Sequence, residues 1–201
     1  MNLSLKSSNR GLIVGTTGSG KTTLARLLLT LSYNRVAVID NKGLINWPSF
    51  RRYRSIDNFV KSLSEPSFRS VFVPPHYGEP DENEAFFSAV YSCHDSAVYI
   101  DEVYSCCDRD YLPPSYKALI TRGRERRLTA LSATQRPKLI PQILFSESEQ
   151  FYVFALRLDV DRQKIAATIN LPEESIPRKK YGFVYVNLED DEQSGLLKLD
   201  L

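Results

Sequence analysis

Apolar residues along the chain fall into short continuous runs, separated by stretches in which they recur every third or fourth position. Short runs bounded by turn residues predict buried strands, and the periodic stretches predict helices. Gly11-Leu-Ile-Val14 is the first run, and Leu24, Leu27, Leu28 and Leu31 follow at helical spacing within Thr22 to Leu31. Arg35-Val-Ala-Val-Ile39 is a β-branched run closed by the polar turn Asp40-Asn-Lys-Gly43. Ile56, Phe59, Val60 and Leu63 mark a helix over Phe50 to Ser64. Ser70-Val-Phe-Val73 then gives a short strand, stopped by Pro74 and Pro75, which have no amide to extend a ladder. A helix opens at Pro80 and runs to about Cys93, and Ser96-Ala-Val-Tyr-Ile100 ends in the adjacent acids Asp101 and Glu102.

Val103 to Pro114 reads as an irregular loop, and Ser115 as the N-cap of a helix reaching Arg122. Leu128 to Thr134 is a strand ending at Gln135-Arg136-Pro137, and Phe151 to Leu156 another. Asp161 to Ile169 predicts a short helix, Gly182 to Val186 a final strand, and the acidic Leu188 to Glu192 a turn between the last strands. Strands alternating with helices predict an α/β fold, a mostly parallel sheet covered on both faces. With 201 residues the expectation is one domain, a core over about 10–169 followed by a C-terminal strand and tail over 170–201.

The residues between the first strand and first helix, Gly15-Thr16-Thr17-Gly18-Ser19-Gly20-Lys21-Thr22, match the Walker A pattern in the strand–loop–helix context it requires. Its glycines permit close backbone approach, so successive N–H groups and the helix N-terminus can face phosphate oxygens. Lys21 would reach the β- and γ-phosphates, the Thr22 hydroxyl would ligate Mg²⁺, and Thr23 completes the phosphate-binding stretch. A nucleoside triphosphate is the ligand this implies. The strand ending in Asp101-Glu102 has the Walker B pattern: Asp101 would hold Mg²⁺ through its water shell, and Glu102 would polarise a water for attack on the γ-phosphate. A nucleotide kinase needs no such water activator. Gln135 is a sensor candidate, its amide within reach of the γ-phosphate or attacking water. Arg124, in Thr121-Arg-Gly-Arg-Glu-Arg-Arg127, suits an arginine finger, with Arg122, Arg126 and Arg127 as competitors.

Composition changes this picture little. The chain is 42% hydrophobic and 25% charged, and has no apolar run long enough to cross a bilayer. The N-terminal Met1-Asn-Leu-Ser-Leu-Lys6 lacks a signal peptide's apolar core, which predicts a cytoplasmic protein. Cys93, Cys106 and Cys107 have no zinc-ligand spacing and read as structural or incidental thiols. A net charge of +2 neither demands nor excludes nucleic acid. Arg51, Arg52 and Arg54 form one basic cluster and Arg178, Lys179 and Lys180 another; each is either a solvated face or a DNA contact.

With Gly15 to Thr22, Tyr99-Ile-Asp-Glu102, Gly123-Arg124 and Ala133-Thr-Gln-Arg-Pro137 in order, the chain resembles the FtsK/HerA superfamily of DNA-pumping P-loop ATPases. Asp40-Asn-Lys-Gly43 departs from that family's Asp-Pro-Lys-Gly only at Asn41. The resemblance covers roughly Arg10 to Ile169 and implies a RecA-like core with strand order 5-1-4-3-2 and ATP hydrolysis at the junctions of a hexameric ring, double-stranded DNA passing through the centre. No membrane helices or added domains are apparent, so the chain is most similar to the genome-packaging ATPases of tailless, internal-membrane viruses and phages. The partner this resemblance implies is a capsid vertex or a membrane-associated packaging protein. A cellular or conjugative DNA pump, a filamentous-phage morphogenesis ATPase and a non-translocating nucleotide-binding regulator are the alternatives.

Overall fold

Successive side chains of each central strand point to opposite faces, and the buried residues sort accordingly. Leu12 and Val14 pack into one apolar layer while Ile13 packs into the other; Val98 and Ile100 oppose Ala97 and Tyr99, and Phe151 and Val153 oppose Tyr152 and Phe154. A sheet buried on both faces needs helices on both, as its near-continuous apolar strands predict. The computed structural model describes residues 5–190 and 192–199. Among these the elements run β1 (Arg10–Val14), α1 (Lys21–Ser32), β2 (Arg35–Asp40), β3 (Arg51–Tyr53), α2 (Ile56–Ser62), β4 (Phe68–Phe72), α3 (Pro80–Tyr91) and β5 (Ser96–Asp101). There follow α4 (Pro114–Arg122), β6 (Leu128–Thr134), α5 (Ile143–Ser146), β7 (Gln150–Phe154), α6 (Asp159–Thr168), β8 (Gly182–Asn187), β9 (Glu192–Gln193) and β10 (Leu197–Lys198).

The strands form one sheet in the order β10-β8-β7-β1-β6-β5-β2-β4-β3, with β9 also paired to β8. From β7 to β3 every pairing is parallel, and β8 turns the far edge antiparallel. The expected α/β architecture is observed, and β7-β1-β6-β5-β2 reproduces the order 5-1-4-3-2. Helix α1 and the segment around Trp47 cover one face; α2 to α6 cover the other, where Phe87 of α3 stacks on Tyr116 of α4 at 4.3 Å.

Four expectations need correction. Phe50 to Ser64 is not one helix: Arg51–Tyr53 pairs with the open edge of β4, and the helix begins only at Ile56, capped by the Ser55 hydroxyl. Long-range ladder bonds outweigh local helical periodicity there. Ser115 is not an N-cap, because α4 starts at Pro114; the Ser115 N–H and hydroxyl instead donate to the Glu84 carboxylate of α3. Helix α6 begins two residues early, at Asp159. On α1 the inward stripe is Leu24, Ala25, Leu28 and Leu29, leaving Leu31 83% exposed. The acidic turn does follow β8 and leads into β9, although residue 191 lies outside the described residues.

Candidate nucleotide site

Because neighbouring central strands are parallel, their C-terminal ends share one edge of the sheet, and the loop from β1 to α1 lies there between the ends of β6 and β7. The Gly15 N–H donates to the Thr134 carbonyl at 3.1 Å and the Thr16 N–H to the Ala155 carbonyl at 2.9 Å. Gly18 and Gly20 have φ of 69° and 109°, which side chains other than glycine rarely adopt. A Cβ on Gly15 would meet Phe154 Cβ at 2.5 Å. The loop is therefore tied at its base and curled above it.

Lys21 opens α1 and points back over this curl. Its Nζ donates to the carbonyls of Gly15 at 2.7 Å and Thr16 at 3.0 Å. Burial pushes its pKa down to about 8, against the opposing pull of Glu102 and Asp101. Ser19 is fully buried, and its Oγ has no hydrogen-bond partner. An orphaned buried hydroxyl in a glycine-rich cradle suits an anion with several acceptor oxygens, so the loop fits a phosphate chain.

The acids arrive from β5. Thr22 Oγ1 donates to Asp101 Oδ1 at 3.2 Å, and the Tyr99 hydroxyl donates to the same oxygen at 2.8 Å. A threonine hydroxyl and one carboxylate, completed by water and phosphate oxygens, are the hard-oxygen set that Mg²⁺ takes. Glu102 sits in the left-handed region, φ 63° and ψ 76°, which turns its side chain back over the sheet edge, where it is only 6% exposed. One carboxylate oxygen accepts from the Thr134 hydroxyl and the Gln135 N–H, each at 3.3 Å; the other pairs with Lys42 Nζ at 3.3 Å. The Gln135 side-chain oxygen accepts from the Thr17 hydroxyl at 2.6 Å.

Lys21, Thr22, Asp101, Glu102 and Gln135 thus come together around the loop. Arg124 does not join them. It lies on the 3-10 turn Gly123–Arg126 that precedes β6, at the opposite end of the sheet, where its guanidinium pairs with Glu149 and, at 3.7 Å, with Glu189. Of its competitors, Arg127 pairs with Asp95 and Arg126 covers the Tyr91 ring. Lys42, in the turn after β2, also reaches this group of side chains, through Glu102, and its local sequence does not announce the contact. Buried Asp40 holds that turn by accepting the N–H groups of Lys42 at 3.2 Å and Ile45 at 2.6 Å. Spacing within Asp40 to Gly43 carries no sign of a partner 60 positions away in sequence. Tyr99 was likewise hidden, because an aromatic in an apolar strand reads as core. Cys106 and Cys107 are free and buried, and burial pushes the Cys106 thiol up to about 12, consistent with structural thiols.

No protein-family model matches the sequence. The chain is 28% identical over 196 residues to the DNA packaging ATPase P9 of Enterobacteria phage PRD1, covering 89% of this chain and 82% of that protein. Its fold is similar to the genome packaging NTPase B204 of Sulfolobus turreted icosahedral virus 2. The complex of that NTPase with sulfate gives a TM-score of 0.80 at 17% identity, covering 98% of each chain. Its complex with ATP-gammaS gives 0.78 at 19%, covering 96% of this chain and 98% of that one. The N-terminal domain of zonular occludens toxin from Neisseria meningitidis aligns with a TM-score of 0.53 at 15% identity, over 97% and 96%. The likeness to genome-packaging ATPases inferred from the motifs is therefore present along most of the chain.

Proposed function

We propose that this chain is an ATP-driven translocase of double-stranded DNA, the motor that packages a viral genome into a preformed capsid. The observation that carries the proposal is the gathering of Lys21, Asp101, Glu102 and Gln135 at one sheet edge, in a chain similar over 89% of its length to a DNA packaging ATPase.

The loop N–H groups and Lys21 hold the phosphate chain of ATP, while Thr22 and Asp101 are the residues to hold Mg²⁺, which when bound neutralises charge on the β- and γ-phosphate oxygens. Glu102 takes the proton of the attacking water, its carboxylate oriented by Thr134, the Gln135 N–H and Lys42. The Gln135 amide, fixed by Thr17, places that water or the γ-phosphate. Arg124 serves the site of a neighbouring copy in a homo-oligomeric ring, taken as a hexamer, where it stabilises charge on the transferring phosphoryl group. Hydrolysis then depends on assembly, and the DNA passes along the ring. The partner that anchors the ring is a capsid vertex or a membrane-associated packaging protein, and the host cytoplasm is where it works. Among the described residues no helix is long and apolar enough to cross a membrane.

ATP turnover with and without double-stranded DNA, on material of known oligomeric state, tests this reading. Turnover stimulated by DNA in a ring-sized species is the expected result. Nucleotide binding without DNA-stimulated turnover would replace the motor by a nucleotide-binding regulator.

A further inference from the structure

The basic cluster Arg178 to Lys180 has no place in the mechanism above, yet the fold brings its last member, Lys180, to the glycine-rich loop. The segment entering β8 runs across the outside of that loop. The Tyr181 N–H donates to the Ser19 carbonyl at 3.2 Å, and the Tyr181 carbonyl accepts from the Leu199 N–H at 3.1 Å. The Leu199 side chain closes on Gly20: a Cβ there would meet its Cδ1 at 2.7 Å, with Phe154 Cε1 at 3.3 Å. Two separate C-terminal pieces therefore press on residues 18–20. Tyr181 itself is held at φ 66°, a left-handed conformation costly for an aromatic residue, with both its own N–H and its own carbonyl hydrogen-bonded.

This strap delivers a cation. A Cβ built on Gly18 would lie 3.5 Å from Lys180 Nζ, so the ammonium stands beside the curled part of the glycine-rich loop. Lys180 is exposed, and no carboxylate pairs with it among the described residues. A free ammonium beside an anion cradle is attracted to bound phosphate by the same field that Lys21 exploits.

We infer that Lys180 is a second phosphate-binding cation of the nucleotide site, carried there by a C-terminal strap that braces the loop, and that it serves the nucleotide and not the DNA. The inference rests on the nucleotide site of the proposed function. It extends that site to the last described residues of the chain.

Calorimetric titration of the full chain with ATPγS and with AMP, beside a double-stranded DNA binding assay, tests it. Lys180→Met should weaken ATPγS binding about ten-fold, the loss of one charge-assisted contact, and AMP binding less than about two-fold. Lys180→Arg should restore most of the loss, and DNA affinity should not change. ATPγS affinity within about two-fold of wild type in Lys180→Met, while Lys21→Ala abolishes it, would overturn this inference and leave the proposed function standing. A fall in DNA affinity alone would overturn it in favour of a DNA contact. A wild-type chain that bound no ATPγS would overturn both.

Discussion

The two edges of the central sheet are both rich in charge but are built differently. At the C-terminal ends of β1, β5 and β6, Lys21 rests on two loop carbonyls and the buried Ser19 hydroxyl has no partner, a polar cradle of the kind that suits an anion. At the N-terminal ends of β1 and β6, Arg10 is buried and donates to the carbonyls of Ile120 at 2.7 Å and Ser8 at 2.6 Å, while Arg124 pairs with Glu149 and Glu189. That edge is satisfied from within. The seven-residue span of β6, Leu128–Thr134, separates Arg124 from Gln135 by about 20 Å, so an arginine there can act on a nucleotide only in another copy. Under the proposed function one chain would carry the acceptor half at one edge and the donor half at the other, as a head-to-tail ring needs.

The strongest challenge to this division is Arg124→Ala. DNA-stimulated turnover of the assembled protein should fall by roughly 10³ to 10⁵, with ATPγS affinity of the isolated chain unchanged. Lost affinity in the isolated chain would put Arg124 in its own site. Glu102→Gln should lower turnover by about 10² to 10⁴ while nucleotide binding persists, and a wild-type rate would remove Glu102 from water activation. Mixing Lys21→Ala and Arg124→Ala chains should restore part of the activity, because some junctions then hold both intact groups; co-assembly without rescue would count against action in trans. The smallest effect is expected at the satisfied edge itself. Glu149→Gln, which weakens the acceptor shared by the Arg10 N–H and the Arg124 guanidinium, should cost about 1–2 kcal/mol in urea denaturation and leave ATPγS affinity intact. Equal loss of affinity would show that the edges are energetically coupled.

Legibility in the sequence followed the range of the interactions involved. Gly15 to Thr22 was readable because its glycine spacing answers to local backbone geometry, and Asp101-Glu102 because four apolar residues precede them on one strand. The central strands were readable for the same reason. The short β3 was not, since Arg51 to Tyr53 is extended only through pairing with β4, and its local pattern is continuous with the helix that follows. Ser115 looked like a cap until Glu84 of another helix claimed its hydroxyl.

By itself the sequence determined the glycine-rich loop between β1 and α1, the acid pair at the end of β5 and the alternation that makes the sheet parallel, all properties of contiguous residues and their periodicity. Only the tertiary structure decided that Lys42 meets Glu102, that Arg124 stands at the far edge from its own loop, and that Lys180 and Leu199 close over Gly18 and Gly20. Those contacts join residues 25 to 179 positions apart; strand order and chain reversal create them, and neither leaves a mark in local residue spacing.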